Sequence, residues 1–194
     1  MGRQQRMPLL AALEAVAELR RDQIVVATMG AAREWPKLSQ HPLDFHYLPS
    51  AMGHAPMIAL GLALAQPQRE VIVFNGDGCM LMGLGGLVTI AASGATNLTL
   101  IVLDNGLYEV TGGQTTAGAI AGVDFARMAR AAGFASAASF DDLPTWRQQA
   151  AAALAAPGPR FISLAVEPVG AEYLLPPPAM HEQIERFCKA LAAK

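Results

Sequence analysis

Apolar and polar positions along this chain come in blocks. Short apolar runs, most of them rich in β-branched residues, recur at Ile24–Thr28, Val71–Phe74, Leu98–Leu103, Phe134–Ala138 and Arg160–Val166. Bounded by turn residues, they suit strands covered on both faces. Between them lie longer stretches with a helical period. Pro8–Arg21 carries Leu9, Leu10, Leu13, Val16, Ala17 and Leu19, and Pro8 suits a first helical turn. Ala31–Leu38 reads as a short helix broken at Pro36, and residues 39–50 as a loop with a short strand around Phe45–Leu48. Gly53–Gln66 is a small-residue helix. Met80–Ser93 is a connecting helix despite Gly83, Gly85 and Gly86, each of which costs about 1 kcal/mol against alanine. A glycine-rich loop, Asn105–Ala121, follows, then a helix over Val123–Ala132 ended by Gly133. Asp141 or Asp142 caps a helix through Ala156, with Pro144 in its first turn. A proline-rich connection, Pro168–Pro178, leads to an amphipathic helix, Pro178–Ala193, with Ile184, Phe187 and Leu191 on one side.

Strands alternating with helices predict an α/β fold: a doubly wound, mostly parallel sheet with helices on both faces. No repeat and no boundary before residue 168 is visible, so the expectation is one domain over 1–194 with a core at about 20–167.

Composition narrows the function classes. Net charge is −2 and the basic residues form no long run, which leaves no electrostatic case for nucleic acid. No stretch reaches the length of a membrane span, and Glu14 and Glu18 interrupt any signal-like core after Met1. Cys79 and Cys188 are too few for a disulfide framework, so the expected setting is the reducing cytoplasm. Apolar residues make up 53% of the chain and charged ones 15%. That excess fits a buried parallel sheet together with a subunit interface.

The candidate chemistry sits where two of the buried strands end. The first runs into Asn75-Gly76-Asp77-Gly78 and the second into Asp104-Asn105. Ligands of open parallel sheets bind beyond the carboxyl ends of the strands, so Asp77 and Asn105 can meet there. A carboxylate and an amide oxygen suit a hard cation such as magnesium. The glycines permit tight turning, and a helix start near Met80 offers N–H groups to phosphate. Together these features describe a site for a metal-bridged diphosphate.

Gly76-Asp77-Gly78, followed after 26 residues (79 through 104) by Asn105, resembles the cofactor fingerprint of thiamine diphosphate enzymes. Ser50-Ala51-Met52-Gly53-His54-Ala55 and the stretch Tyr108–Gln114, with its Thr-Gly-Gly-Gln, are similar to the small-subunit type of sulfopyruvate decarboxylase and the matching half of phosphonopyruvate decarboxylase. The likeness covers roughly residues 20 to 170 and is more specific for the cofactor than for the substrate.

The resemblance implies that magnesium is held by the side chains of Asp77 and Asn105 and the backbone carbonyl of Leu107. It implies cofactor contacts from Gly76, Gly78, Cys79 and Tyr108. Met52 would prop the thiamine in a bent conformation, and the carbonyl of Ser50 would accept from its pyrimidine amino group. His54, Tyr108 and Thr111 are the catalytic candidates; Glu109 faces the same region, and His46 is a lesser candidate. Gln114 and Thr115 are candidates to close the site. Cys79 stands where relatives carry serine, and reads as a small inert residue against the alternative of a helix-start thiol with a lowered pKa. Thr111 stands where some simple 2-oxo acid decarboxylases carry a glutamate, which leaves that proton-transfer role without its usual carrier. The family also needs a glutamate against the pyrimidine ring, from a second domain of the same fold. Glu14, Glu18, Glu34 and Glu70 have no matching context.

The expectation is therefore the diphosphate-binding half of a hetero-oligomer, paired with an alpha-type subunit that carries the pyrimidine-binding domain. Such a pair would decarboxylate a small anionic 2-oxo acid. Two other readings stay open: a subunit of another thiamine enzyme, carboligase or 2-oxo acid oxidoreductase, and a non-catalytic thiamine diphosphate-binding module.

Overall fold

Each apolar run of the sequence becomes a strand, and six strands pair in parallel in the order β2-β1-β3-β4-β8-β7. The computed structural model describes residues 6–47, 52–170 and 179–192. The strands are β1 (Ile24–Thr28), β2 (Asp44–Tyr47), β3 (Val71–Gly76), β4 (Leu98–Asp104), β7 (Ser136–Phe140) and β8 (Arg160–Ala165); β5 (Leu107–Tyr108) and β6 (Gln114–Thr115) form a separate small antiparallel pair. Helices α1 (Leu9–Ala17), α2 (Met29–Glu34), α3 (Ala55–Ala65), α4 (Asp77–Met82), α5 (Gly86–Ala92), α6 (Ala117–Ala121), α7 (Phe125–Ala132), α8 (Leu143–Ala155) and α9 (Met180–Ala192) fill the connections.

Alternation along each strand divides the core in two. Val71 and Val73 join Leu98, Leu100, Val102, Phe125 and Phe161 on one face. Ile72 and Phe74 join Val25, Ile101, Leu103, Trp35 and Trp146 on the other. Trp146 satisfies its indole by donating from Nε1 to the carbonyl of Ala12 at 2.9 Å, which ties α8 to α1. The terminal helix covers the edge strand β2 through the contact of Phe45 with Phe187, whose ring centroids lie 5.2 Å apart. No described helix is long and apolar enough to cross a membrane.

Three expected elements are drawn differently. The helix over Met80–Ser93 starts earlier, at Asp77, and splits into α4 and α5. Its break lies where Gly83 meets Gly53: a Cβ on Gly83 would stand 2.5 Å from the Gly53 carbonyl oxygen, so two backbones touch there. The strand expected over Phe134–Ala138 begins at Ser136. Phe134 still belongs to the helix end, because its N–H bonds the Ala129 carbonyl at 3.0 Å while the Gly133 N–H bonds that of Arg130 at 3.0 Å, a Schellman closure. The short helix expected from Ala31 begins earlier, at Met29, and its α-helical part ends at Glu34, ahead of Pro36, which sits in a 3-10 turn, Trp35–Lys37.

Candidate active site

After β1 the chain turns to β2 on one side and later returns to β3 on the other. The carboxyl ends of β1 and β3 thus flank a topological switch point, where such sheets bind ligands. A cleft opens there. Its walls come from the β1–α2 junction (Thr28, Met29, Gly30), the β3–α4 junction (Gly76 to Cys79) and the segment after β4 (Asn105, Leu107 to Thr111).

Register explains why distant residues meet. Gly76 pairs with Leu103 across β3 and β4, so the next residues along, Asp77 and Asp104, emerge side by side, with Asn105 one step further. Asp77 is 2% exposed, and burial pushes its carboxyl up to about 6, with the neighbouring Asp104 charge adding to the rise. Thr116 counters by donating its hydroxyl to Asp77 Oδ2 at 2.9 Å. Asp104 is also raised, by burial, against the pull of the Arg6 guanidinium. Arg6 donates to the carbonyls of Asp104 at 2.8 Å and Val166 at 3.1 Å.

Asn105 lies in a polar network. Its Oδ1 accepts from the Leu107 N–H at 2.8 Å, and its Nδ2 donates to Glu109 Oε2 at 2.6 Å. The loop then folds back as the pair β5–β6, with the Thr116 N–H on the Gly106 carbonyl at 2.9 Å. That return delivers Thr116 to Asp77.

The donor set suits a hard divalent ion. Asp77 and Asn105 line one cleft, and a buried carboxylate beside a second one is relieved by a cation. Among the described residues no group of three His, Cys, Asp or Glu forms a closed metal cage. Ligands from a phosphate would complete the shell, as magnesium sites commonly have it. The α4 start is shaped for close approach: a Cβ on Gly78 would stand 2.5 Å from the Tyr108 ring.

Of the residues singled out in the sequence, Met52, Gly76, Asp77, Gly78, Cys79, Asn105, Leu107, Tyr108, Glu109 and Thr111 all line this cleft. Ser50 lies outside the described residues. His54 does not line it: it is exposed at the start of α3, where its carbonyl accepts from the Met57 and Ile58 N–H groups at 2.9 and 3.1 Å. His46 is buried in β2 at 7% exposure, and burial lowers its pKa. Gln114 and Thr115 are exposed in β6 and do not line the cleft. Burial raises the Cys79 thiol, which favours the inert reading.

Two residues of the site escape the sequence pattern: Thr116, and Met29, held at φ 54 beside the cleft at a cost of about 1–3 kcal/mol. Thr116 carries a local signal, since it caps α6 by accepting from the Ala119 N–H at 3.2 Å. Its bond to Asp77 is tertiary and leaves no trace in spacing.

Residues 23–164 match the family model described as thiamine pyrophosphate enzyme, C-terminal TPP binding domain. The chain is 39% identical over 179 residues to the sulfopyruvate decarboxylase subunit beta of Methanothermobacter thermautotrophicus, covering 92% of each. It is 39% identical over 183 residues to the phosphonopyruvate decarboxylase of Streptomyces viridochromogenes, covering 93% of this chain but 45% of that one. In fold it resembles a chain of the 2-oxoglutarate:ferredoxin oxidoreductase from Magnetococcus marinus, with a TM-score of 0.65 at 21% identity over 85% of this chain and 62% of that one.

Proposed function

The chain belongs to the thiamine pyrophosphate enzymes, with their C-terminal cofactor-binding domain, and from that premise we propose that it is the beta-type subunit of a magnesium-dependent decarboxylase. Its substrate is a small anionic 2-oxo acid, sulfopyruvate or phosphonopyruvate. One observation carries the reading: Asp77 and Asn105, from separate strand ends, line one cleft. The likeness to a sulfopyruvate decarboxylase subunit beta over 92% of both chains supports the choice of reaction.

In this reading Asp77, Asn105 and the Leu107 carbonyl hold magnesium, and the ion keeps Asp77 deprotonated despite its burial. The backbone from Gly76 to Cys79 receives the diphosphate, and Tyr108 packs against Gly78 as the adjoining wall. Met52 supports the thiamine from the cleft rim. Thiamine diphosphate, when bound, would supply the electron sink that decarboxylation of a 2-oxo acid needs. Tyr108 and Thr111 are the catalytic candidates that reach the cleft; His54 stands outside it.

An alpha-type subunit covers the rim and brings the pyrimidine-binding domain with its activating glutamate, in a cytoplasmic hetero-oligomer. Met52 and Met82, 44% and 53% exposed at the cleft edge, are apolar surface for that contact. The name "subunit beta" of the Methanothermobacter relative, and the Streptomyces chain of about twice this length, both support a two-part site.

The test is a decarboxylation assay with sulfopyruvate and phosphonopyruvate, on the chain alone and mixed with the alpha-type subunit. Turnover by the pair only is the expected result. Equal turnover by the chain alone would overturn the half-site reading.

A further inference from the structure

We propose that Glu109 is a positioning residue: its carboxylate sets the orientation of the Asn105 amide and ties that amide to the Val169–Gly170 turn. This rests on the reading of Asn105 as a magnesium ligand. Glu109 sits in a 3-10 turn, Glu109–Thr111, four residues after Asn105. Its two oxygens are divided between separate elements. Oε2 accepts from Asn105 Nδ2 at 2.6 Å; Oε1 accepts from the N–H groups of Val169 at 2.6 Å and Gly170 at 2.8 Å.

The polarity of this chain of bonds has one solution. Leu107 offers a backbone donor, so Asn105 must turn its oxygen toward it. The Asn105 nitrogen then faces Glu109, which must accept. Val169 and Gly170 offer two further donors, so the other Glu109 oxygen must accept as well. Only an acceptor-only side chain meets all three donors, which selects a carboxylate over an amide. A flipped Asn105 would set Nδ2 against the Leu107 N–H and its oxygen against a carboxylate. The network therefore fixes which end of the amide is oxygen, and leaves that oxygen's second lone pair for a cation.

The same carboxylate reaches the chain just beyond β8. Val169 also packs by Gly30, at the start of α2 and in the cleft wall. Metal-ligand geometry and the path of the chain after β8 are thereby joined through one side chain.

Glutamine at 109 keeps the length and brings a donor into a place with three donors. Aspartate keeps the charge and is one methylene too short to span both partners. The full chain would be titrated with Mn2+ in the presence of thiamine diphosphate, with free ion followed by electron paramagnetic resonance. Glu109→Gln and Glu109→Asp are each expected to weaken Mn2+ binding about 10- to 100-fold, the usual effect of losing a group that orients a ligand. A charge effect alone would leave Glu109→Asp like the wild type.

The second readout is thermal unfolding of the metal-free chain in two backgrounds. With Asn105 present, Glu109→Gln lowers Tm. In Asn105→Asp, two carboxylates would abut, and Glu109→Gln then raises Tm by donating to the new acid. Wild-type Mn2+ affinity in both single variants would overturn the proposal, as would a Tm shift of the same sign in both backgrounds. Absence of Mn2+ binding by the wild type, both alone and mixed with the alpha-type subunit, would instead overturn the ligand role of Asn105, and this proposal with it.

Discussion

The two side chains proposed to share one magnesium ion reach the cleft by different physical means. Asp77 is carried by packing. It follows a strand buried up to its last residue and opens a helix whose other end, at Gly83, meets Gly53 in a contact of bare backbones. Asn105 is carried by hydrogen bonds. It begins a partly exposed segment whose shape depends on Leu107, Glu109 and the short β5–β6 pair. Packing holds a position within the close tolerances of a core, whereas a hydrogen-bond network also dictates which atom of an amide points where. A carboxylate offers oxygen from either end, so for Asp77 position is enough. An amide does not, so Asn105 needs the network as well.

Removing the packed ligand should have the largest effect. Asp77→Ala takes away a charged oxygen ligand outright, and the loss in Mg2+-dependent thiamine diphosphate affinity should exceed roughly 100-fold, the upper end for residues that only orient a ligand. Isothermal titration with both components measures it. Retained affinity would place the ion elsewhere and dissolve the comparison.

The carboxylate titrates and the amide does not, which separates the two ends by pH. Folding raises the Asp77 pKa from 3.8 to about 6, mainly through burial, so the folded state prefers the neutral acid. The resulting stabilisation is full below the unfolded pKa and is lost as pH rises through about 6. In the metal-free chain, wild type should lose roughly 2–3 kcal/mol relative to Asp77→Asn on going from acid to neutral pH, because each tenfold change in proton affinity is worth about 1.4 kcal/mol. Urea unfolding of both forms across that range checks it. Parallel curves would mean that the site tolerates the buried charge without help.

The two regions also differ in how far the sequence exposes them. The strands are legible because β-branched runs buried on both faces leave a continuous apolar signal, and their ends place Asp77 and Asn105 at the same edge of the sheet. The pairing of Gly76 with Leu103 then turns that placement into contact. The split between α4 and α5 is not legible. It depends on Gly53, some thirty residues away in sequence, arriving with its carbonyl against Gly83, and no local propensity reports that. Nor is the β5–β6 return, whose strands have two residues each and no apolar face. His54 shows the converse, nearness in sequence without nearness in space. It lies two residues from Met52, but the turn at Gly53, with φ +90, separates the residue that lines the cleft from the one that does not.

Packing at the Asp77 end can be broken without touching a polar group. Gly83→Ala places a Cβ against the Gly53 carbonyl, and backbone on both sides leaves no flexible side chain to yield. Overpacking of this kind costs about 1–3 kcal/mol. Gly86→Ala is the control, since its Cβ would meet only the end of Met57, a side chain that can swing aside. Chemical denaturation should show the first variant destabilised and the second near neutral. Equal effects would remove the packing argument, since helix propensity favours alanine over glycine at both positions.

Thr116 gives the smallest and most discriminating effect, because it belongs to both regions. Its hydroxyl donates to Asp77 Oδ2 and accepts from the Ala119 N–H, so one oxygen caps a helix in the loop and orients the ligand in the packed junction. Thr116→Val keeps the shape and removes both bonds. Losing the cap costs about 1 kcal/mol, and a buried carboxylate left short of a donor adds a comparable penalty in the metal-free chain. Thr116→Ser retains the hydroxyl and should restore both. The two contributions separate when magnesium and thiamine diphosphate are added: the ion compensates Asp77 but does nothing for the Ala119 N–H. Stability of Thr116→Val measured by denaturation should therefore recover in part on loading. Full recovery would make Thr116 a partner of the carboxylate alone. A penalty unchanged by loading would make it a helix cap alone, and would leave Asp77 positioned wholly by packing.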